Sequence, residues 1–131
     1  MKILVVDDEE LFAQTISVYL ESRGFEVLSG LTGEEGLKLF KEHRPSIVLL
    51  DIILKGDIKD GRKVLEKIRE MDSECQIIMI TASDQDFCEE CLRKGASFYI
   101  HKPVSFQLLK QTLDQALENI EKSGKKEEKE Q

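Results

Sequence analysis

Five side chains in this chain have the types and the placement for phosphoryl chemistry: Asp7, Asp8, Asp51, Thr81 and Lys102. Ile3-Leu4-Val5-Val6 runs into the acid pair, and Ile47-Val48-Leu49-Leu50 runs into Asp51. Ile77-Ile78-Met79-Ile80 runs into Thr81, and Ser97-Phe98-Tyr99-Ile100-His101 runs into Lys102. An acid at the end of an apolar segment is costly to bury, because desolvation disfavours its charge. Three carboxylates drawn together would also repel one another. A divalent cation removes that repulsion. An oxygen-only donor set suits a hard ion, and Mg2+ is satisfied by a few carboxylates plus several waters. An ammonium and a hydroxyl beside a metal-bound carboxylate would neutralise and position phosphoryl oxygens. In that arrangement Asp51 is the nucleophile and the product is an acyl phosphate. Singly, each residue has a plainer reading: Asp7 or Asp8 as a helix N-cap, Thr81 as a strand end, Lys102 as a surface charge. Their coincidence at the ends of four apolar segments favours the joint reading.

The intervening segments say how these residues meet. Short apolar runs alternate with stretches of helical periodicity. The first run, 2–6, precedes a helix over Glu9 to Arg23, with Leu11, Phe12, Ile16, Tyr19 and Leu20 at helical spacing and Gly24 ending it. A strand at 25–29 follows, then a helix opened by the capping box Thr32-x-x-Glu35 and running to about His43. Pro45 precedes the third strand. Val64, Leu65 and Ile68 mark the third helix, and Gln76 to Ile80 the fourth strand, ending at Thr81. A helix from Asp84 to Lys94 is closed by Gly95, and the last strand is 97–101. Ser105 caps a final helix with the face Leu109, Leu113, Ala116, Leu117 and Ile120.

Five strand-helix pairs predict an α/β fold: a doubly wound, flavodoxin-like parallel sheet of five strands with helices on both faces. The first, third and fourth strands are nearly all apolar and belong inside the sheet. The second and fifth carry Glu26, Ser29, Ser97 and His101 and suit its edges. Order 2-1-3-4-5 with right-handed crossovers satisfies both conditions. In that order the crevice beyond the strand ends lies between strands 1 and 3, where Asp7, Asp8 and Asp51 fall.

The 131 residues suffice for one compact domain, expected over 1–120, with 121–131 as a charged tail or linker lacking large apolar residues. A net charge of −7 argues against direct nucleic-acid or anionic-membrane binding. No segment approaches the roughly 20 apolar residues of a membrane span, and Met1 to Asp8 is no signal peptide. The expected location is cytoplasmic, consistent with an odd cysteine count.

The motifs Asp7-Asp8-Glu9, Leu49-Leu50-Asp51, Ile80-Thr81-Ala82 and His101-Lys102-Pro103, the last preceded by Gly95-Ala96-Ser97-Phe98-Tyr99-Ile100, together resemble a bacterial response-regulator receiver domain over about residues 1–120. The resemblance implies that Asp51 accepts phosphate from a sensor histidine kinase or phosphotransfer protein. It implies that Asp7, Asp8, Asp51 and the backbone carbonyl of Ile53 hold Mg2+. Thr81 and Lys102 would contact the phosphoryl group, and Tyr99 would be the switch aromatic. Phosphate would draw Thr81 inward and admit the Tyr99 ring, altering the surface of the fourth helix, fifth strand and fifth helix. That surface would bind an output protein or domain, or a second copy of the chain. The implied role is a phosphorylation-activated switch of a two-component system, not an enzyme beyond its own phosphoryl transfer and dephosphorylation. The alternative is a pseudo-receiver, an interaction module that never carries phosphate.

Two features depart from the family pattern. Lys55 stands where a proline is common, and Asp60-Gly61 comes about two residues late, so the Lys55-Gly56-Asp57-Ile58-Lys59 loop is long. Ile53 and Ser83 hold the positions that tune phosphate lifetime. Ile53 cannot orient an attacking water, which predicts a long-lived phosphoryl group. An aspartate-nucleophile phosphatase would need a second acid where Ile53 stands, and no glycine-rich nucleotide signature is present. Cys88-x-x-Cys91 lies inside a predicted helix, three residues apart on one face toward the sheet, and reads as packing rather than redox chemistry.

Overall fold

The structure, a computed structural model, describes residues 1–130, with side chains described through Gly124. The elements alternate: β1 (Lys2–Val6), α1 (Glu10–Ser22), β2 (Glu26–Gly30), α2 (Gly33–His43), β3 (Ile47–Leu50), α3 (Gly61–Met71), β4 (Gln76–Thr81), α4 (Gln85–Arg93), β5 (Phe98–His101) and α5 (Phe106–Glu130). The strands form one parallel sheet in the order β2-β1-β3-β4-β5, as the edge and centre compositions predict. The expected tail at 121–131 begins inside α5, and the side chains of 125–131 lie outside the described residues.

Alternation along each strand divides the core in two. Leu4, Val6, Val48, Leu50, Ile77 and Met79 face α2, α3 and α4, packing with Phe40, Val64, Leu65, Ile68 and Cys91. Ile3, Val5, Ile47, Leu49, Ile78, Ile80 and Ile100 face α1 and α5, packing with Ala13, Ile16, Leu20, Leu109, Leu113 and Ala116. Every residue of β3 is buried, as a central strand covered on both faces requires, whereas β2 and β5 each expose positions.

The helix starts follow from local chemistry. Thr32 Oγ1 accepts from the Glu35 amide at 3.1 Å, and the Glu35 carboxylate accepts from the Leu31 amide at 3.0 Å, completing the capping box. Asp60, Asp84 and Ser105 accept from the amides of Arg62, Phe87 and Leu108. α1 differs: Glu9 occupies its N-cap without a side-chain bond. The acid that turns the chain there is Asp7, whose Oδ1 accepts from the Glu9 amide at 2.9 Å.

The long β3–α3 connection is a tethered hairpin. Ile53 bridges Asp60, the Leu54 amide donates to the Lys59 carbonyl at 2.9 Å, and the Leu54 side chain is buried. Lys55 bridges Thr32, and the Ile58 amide donates to the Glu34 carboxylate, so the loop is fastened to the start of α2. Gly56 turns it with φ of +94°. Beyond the loop, Arg62 pairs with Asp60 at 2.7 Å and reaches across to Glu90 on α4 at 2.5 Å. Lys94 pairs with Glu66 of α3 at 2.6 Å and with Glu90 at 3.5 Å. This chain of charges joins α3 to α4.

Gly61 opens α3 directly against the end of β3: its amide donates to the Ile52 carbonyl, and a Cβ there would overlap the Asp51 carbonyl oxygen. Backbone on backbone cannot relax as a side-chain tip does. Gly61→Ala is expected to destabilise the fold by about 2 kcal/mol or more, read as a lower denaturant midpoint with an unchanged slope.

Candidate functional site

The carboxyl ends of β1, β3, β4 and β5 deliver the acids, the hydroxyl and the lysine to one place. Asp7 follows β1, and its amide donates to the Gly30 carbonyl at 3.1 Å. Asp51 follows β3, and its amide donates to the Val6 carbonyl at 3.0 Å. These ladder bonds fix the two acids side by side on adjacent strands. Both are buried, as is Thr81 at the end of β4, whereas Asp8 is partly exposed. The Lys102 amide donates to the Thr81 carbonyl at 2.9 Å, fixing the lysine backbone beside β4. All three core charge-bearers of the motif therefore hang from sheet-registered backbone.

Lys102 Nζ lies 2.8 Å from Asp7 Oδ2 and 3.1 Å from Asp51 Oδ2, bridging the two buried carboxylates. Burial works against the Lys102 charge, but hydrogen bonds and attraction from Asp7 and Asp51 hold its ammonium above its ordinary value. Burial raises the Asp7 carboxyl above its usual value, aided by the charge of Asp51 and opposed by Lys102 and the Glu9 amide. Asp51 Oδ1 accepts from the Ile53 amide at 3.3 Å. Thr81 Oγ1 accepts from the Ser83 amide at 3.1 Å.

One carboxylate oxygen from each of Asp7, Asp8 and Asp51 lies within 4.8 Å of the others. Lys102 brings one positive charge against Asp7 and Asp51, beside which Asp8 adds a third carboxylate, so negative charge is left over at this spot. An all-oxygen set with excess negative charge fits a hard divalent cation. The structure thus brings together every carboxylate expected in the site. Ile53 stands at its rim, 64% exposed, and half-buried Ser83 lies beside it. Tyr99 is half-buried on β5, packed against the α2–α4 side of the core and edge-on to exposed His101 at 5.6 Å between ring centroids.

Two neighbours of Lys102 were not singled out from the sequence. Glu9 places Oε2 3.5 Å from the ammonium, and the Phe12 ring centroid lies 4.4 Å from it. Glu9 belongs to the quoted acid run, which was its only signal. Phe12 was visible only as one apolar position of α1.

The cysteines stand apart from this chemistry. Cys88 and Cys91 are fully buried on the inner face of α4, and Cys75 is buried below β4. Burial pushes the thiols of Cys75 and Cys91 up to about 11 and raises that of Cys88 as well. Such thiols are poor nucleophiles at neutral pH.

Comparison with known proteins follows the same lines. The family model described as Response regulator receiver domain matches residues 3–114. The Bacillus subtilis alkaline phosphatase synthesis transcriptional regulatory protein PhoP is 37% identical over 105 residues, covering 79% of this chain and 43% of that protein. A Thermotoga maritima cyclic di-GMP phosphodiesterase is 30% identical over 120 residues, covering 91% of this chain and 32% of that protein. The chain spans about a third to a half of the length of the curated relatives it matches. Among solved structures, the receiver domain of NtrX from Brucella abortus superposes with a TM-score of 0.83 at 30% identity, covering 88% of this chain and 98% of that one. A response regulator receiver domain protein (CheY-like) from Methanospirillum hungatei superposes with 0.84 at 29% identity, covering 92% and 97%.

Because the Asp7 carboxyl is raised, its contribution favours the folded state below its ordinary value and is lost as pH rises through the raised one. Asp7→Asn should therefore raise the thermal midpoint in metal-free buffer at neutral pH, by on the order of a few degrees, with the gain shrinking in acid. Mg2+ should raise the midpoint of the unaltered protein but not of the variant. The folded thiols should resist alkylation at pH 8 and react fully once guanidinium unfolds the chain.

Proposed function

The chain belongs to the response regulator receiver domains, and from that premise we propose that it is a switch of two-component signalling whose phosphoacceptor is Asp51. Phosphorylation and Mg2+ are characteristic of the family. The observation that carries the assignment to residues is the Lys102 bridge: an ammonium on a side chain 11% exposed, 3.1 Å from Asp51 Oδ2 and delivered from a different strand. A structural ion pair would need one acid, whereas this one has two buried acids and a third at the edge.

In the proposed reaction an Asp51 carboxylate oxygen attacks the phosphorus of a phosphohistidine. The new P–O bond forms as the P–N bond breaks, and the electron pair leaves with the imidazole nitrogen. The product is an acyl phosphate on Asp51. Lys102 keeps its positive charge beside the carboxylate being esterified and faces the new phosphoryl oxygens. Thr81 Oγ1, an acceptor from Ser83 here, retains a hydroxyl proton to donate toward the phosphoryl group. Mg2+, held by Asp7, Asp8, Asp51 and the Ile53 carbonyl, would supply further neutralisation of the transferring group.

The readout would pass from Thr81 to Tyr99. Movement of the threonine toward phosphate vacates space beside β5, and the half-buried Tyr99 ring turns inward to fill it. This shifts the α4-β5-α5 surface toward a form that binds an output protein or domain, or a second copy. Such a transition needs only a few kcal/mol between the two states. The donor is a sensor histidine kinase or phosphotransfer protein. The domain turns over no other substrate, and the phosphodiesterase activity in the name of the Thermotoga protein is that longer protein's. Among the described residues no helix is long and apolar enough to cross a membrane; we place the domain in the cytoplasm, with its kinase partner's phosphotransfer chemistry.

Incubation with acetyl phosphate and Mg2+ should add the mass of one phosphoryl group, and Asp51→Asn or omission of Mg2+ should abolish it. Lys102→Ala should slow incorporation by at least tenfold. Because exposed, apolar Ile53 offers no hydrogen bond to an incoming water, the phosphoryl group should persist for minutes or longer after the donor is removed. Decay within seconds would remove the long-lifetime reading, and failure to incorporate phosphate at all would favour a pseudo-receiver.

A further inference from the structure

The ammonium of Lys102 carries three protons, and two are directed at Asp7 and Asp51. On its remaining side the ammonium meets the face of Phe12, 4.4 Å from ring centroid to Nζ. Phe12 sits on the first turn of α1, half-buried and packed against the apolar cluster on that face of the sheet, so its ring has support independent of the lysine. The competing partner is Glu9 at 3.5 Å, whose side chain is 62% exposed at the rim. Lys102 thus stands between a buried target and a solvent-facing decoy of the same charge. The lysine stem is flexible, and an ammonium drawn to Glu9 would leave Asp51. A ring face attracts a desolvated cation more strongly than an aliphatic side chain of similar bulk, through its quadrupole.

We propose that Phe12 is the positioning residue for Lys102: its ring seats the ammonium closer to Asp51 than to Glu9, at 3.1 Å against 3.5 Å, setting the rate at which Asp51 is phosphorylated. The proposal rests on Asp51 being the phosphoacceptor. It differs from a packing role in one respect. Packing depends on the volume of the side chain, whereas seating a cation depends on the negative electrostatic potential of the ring face.

Site-specific replacement of Phe12 by phenylalanines carrying one, two and three ring fluorines separates the two, because the fluorines drain the ring face with little change in shape. The rate of phosphorylation by acetyl phosphate with Mg2+ should fall stepwise along the series. It should fall about tenfold in Phe12→Leu, which removes the ring altogether. Independently of activity, the Lys102 ε-methylene proton resonances should be shifted upfield by the ring current in metal-free protein. They should return to the values of the other lysines in Phe12→Leu. Circular dichroism melts of each variant establish that it is folded. Incorporation that is lost in Asp51→Asn but flat across the fluorinated series overturns the proposal alone, as does an unshifted Lys102 in the unaltered protein. Incorporation that survives Asp51→Asn overturns the phosphoacceptor reading and the proposal with it.

Discussion

The constraint on which this structure depends is the enforced closeness of like charges at the end of a parallel sheet. Asp7 and Asp51 follow neighbouring strands in register, so their separation is set by the ladder between β1 and β3 and not by the acids themselves. Neither can retreat to water without breaking the backbone bonds that hold it. Lys102 relieves the repulsion in part, since one ammonium cannot balance three carboxylates. The site is therefore left under electrostatic tension that added positive charge relaxes.

The rest of the fold can be understood as what keeps that closeness from relaxing. Two apolar clusters, one on each face, clamp the central strands so that their carboxyl ends cannot splay. The glycine after Asp60 lets α3 begin in contact with the Asp51 backbone, which pins that acid from the other direction. Stiffness below the site contrasts with looser packing around β5, where Phe98 and Tyr99 are only partly covered and His101 is exposed. A closely held acid cluster thus lies beside a less covered edge strand.

Most of this was legible in the sequence, because apolar alternation and helix caps are local properties. The strand order followed from the polar content of β2 and β5. Thr32, Asp60, Asp84 and Ser105 open their helices because an oxygen two or three bonds from Cα reaches the first free amides whatever surrounds it. What was not legible depends on contacts between elements far apart in the chain. Nothing local tells that Phe12, one apolar position among several on α1, lies under a lysine ninety residues on. The first helix was expected to start at Glu9 and starts at Glu10, because Asp7 bends the chain by an internal turn. The long loop after Asp51 read as an irregularity, yet its bridges to Asp60 and Thr32 make it ordered structure. Those bridges depend on where α2 happens to sit.

The ionic chain from Asp60 through Arg62 and Glu90 to Lys94 and Glu66 carries a mechanical implication. It couples the two helices like a hinge pin made of several weak catches. The Arg62 guanidinium also lies 4.8 Å from the Phe87 ring, so the same side chain touches both the start and the middle of α4. If α4 swings, these catches must let go one after another or drag α3 along. Because each is partly bathed in solvent, release is cheap and quickly reversed, and the torque needed to start the swing is shared rather than concentrated at any one bond.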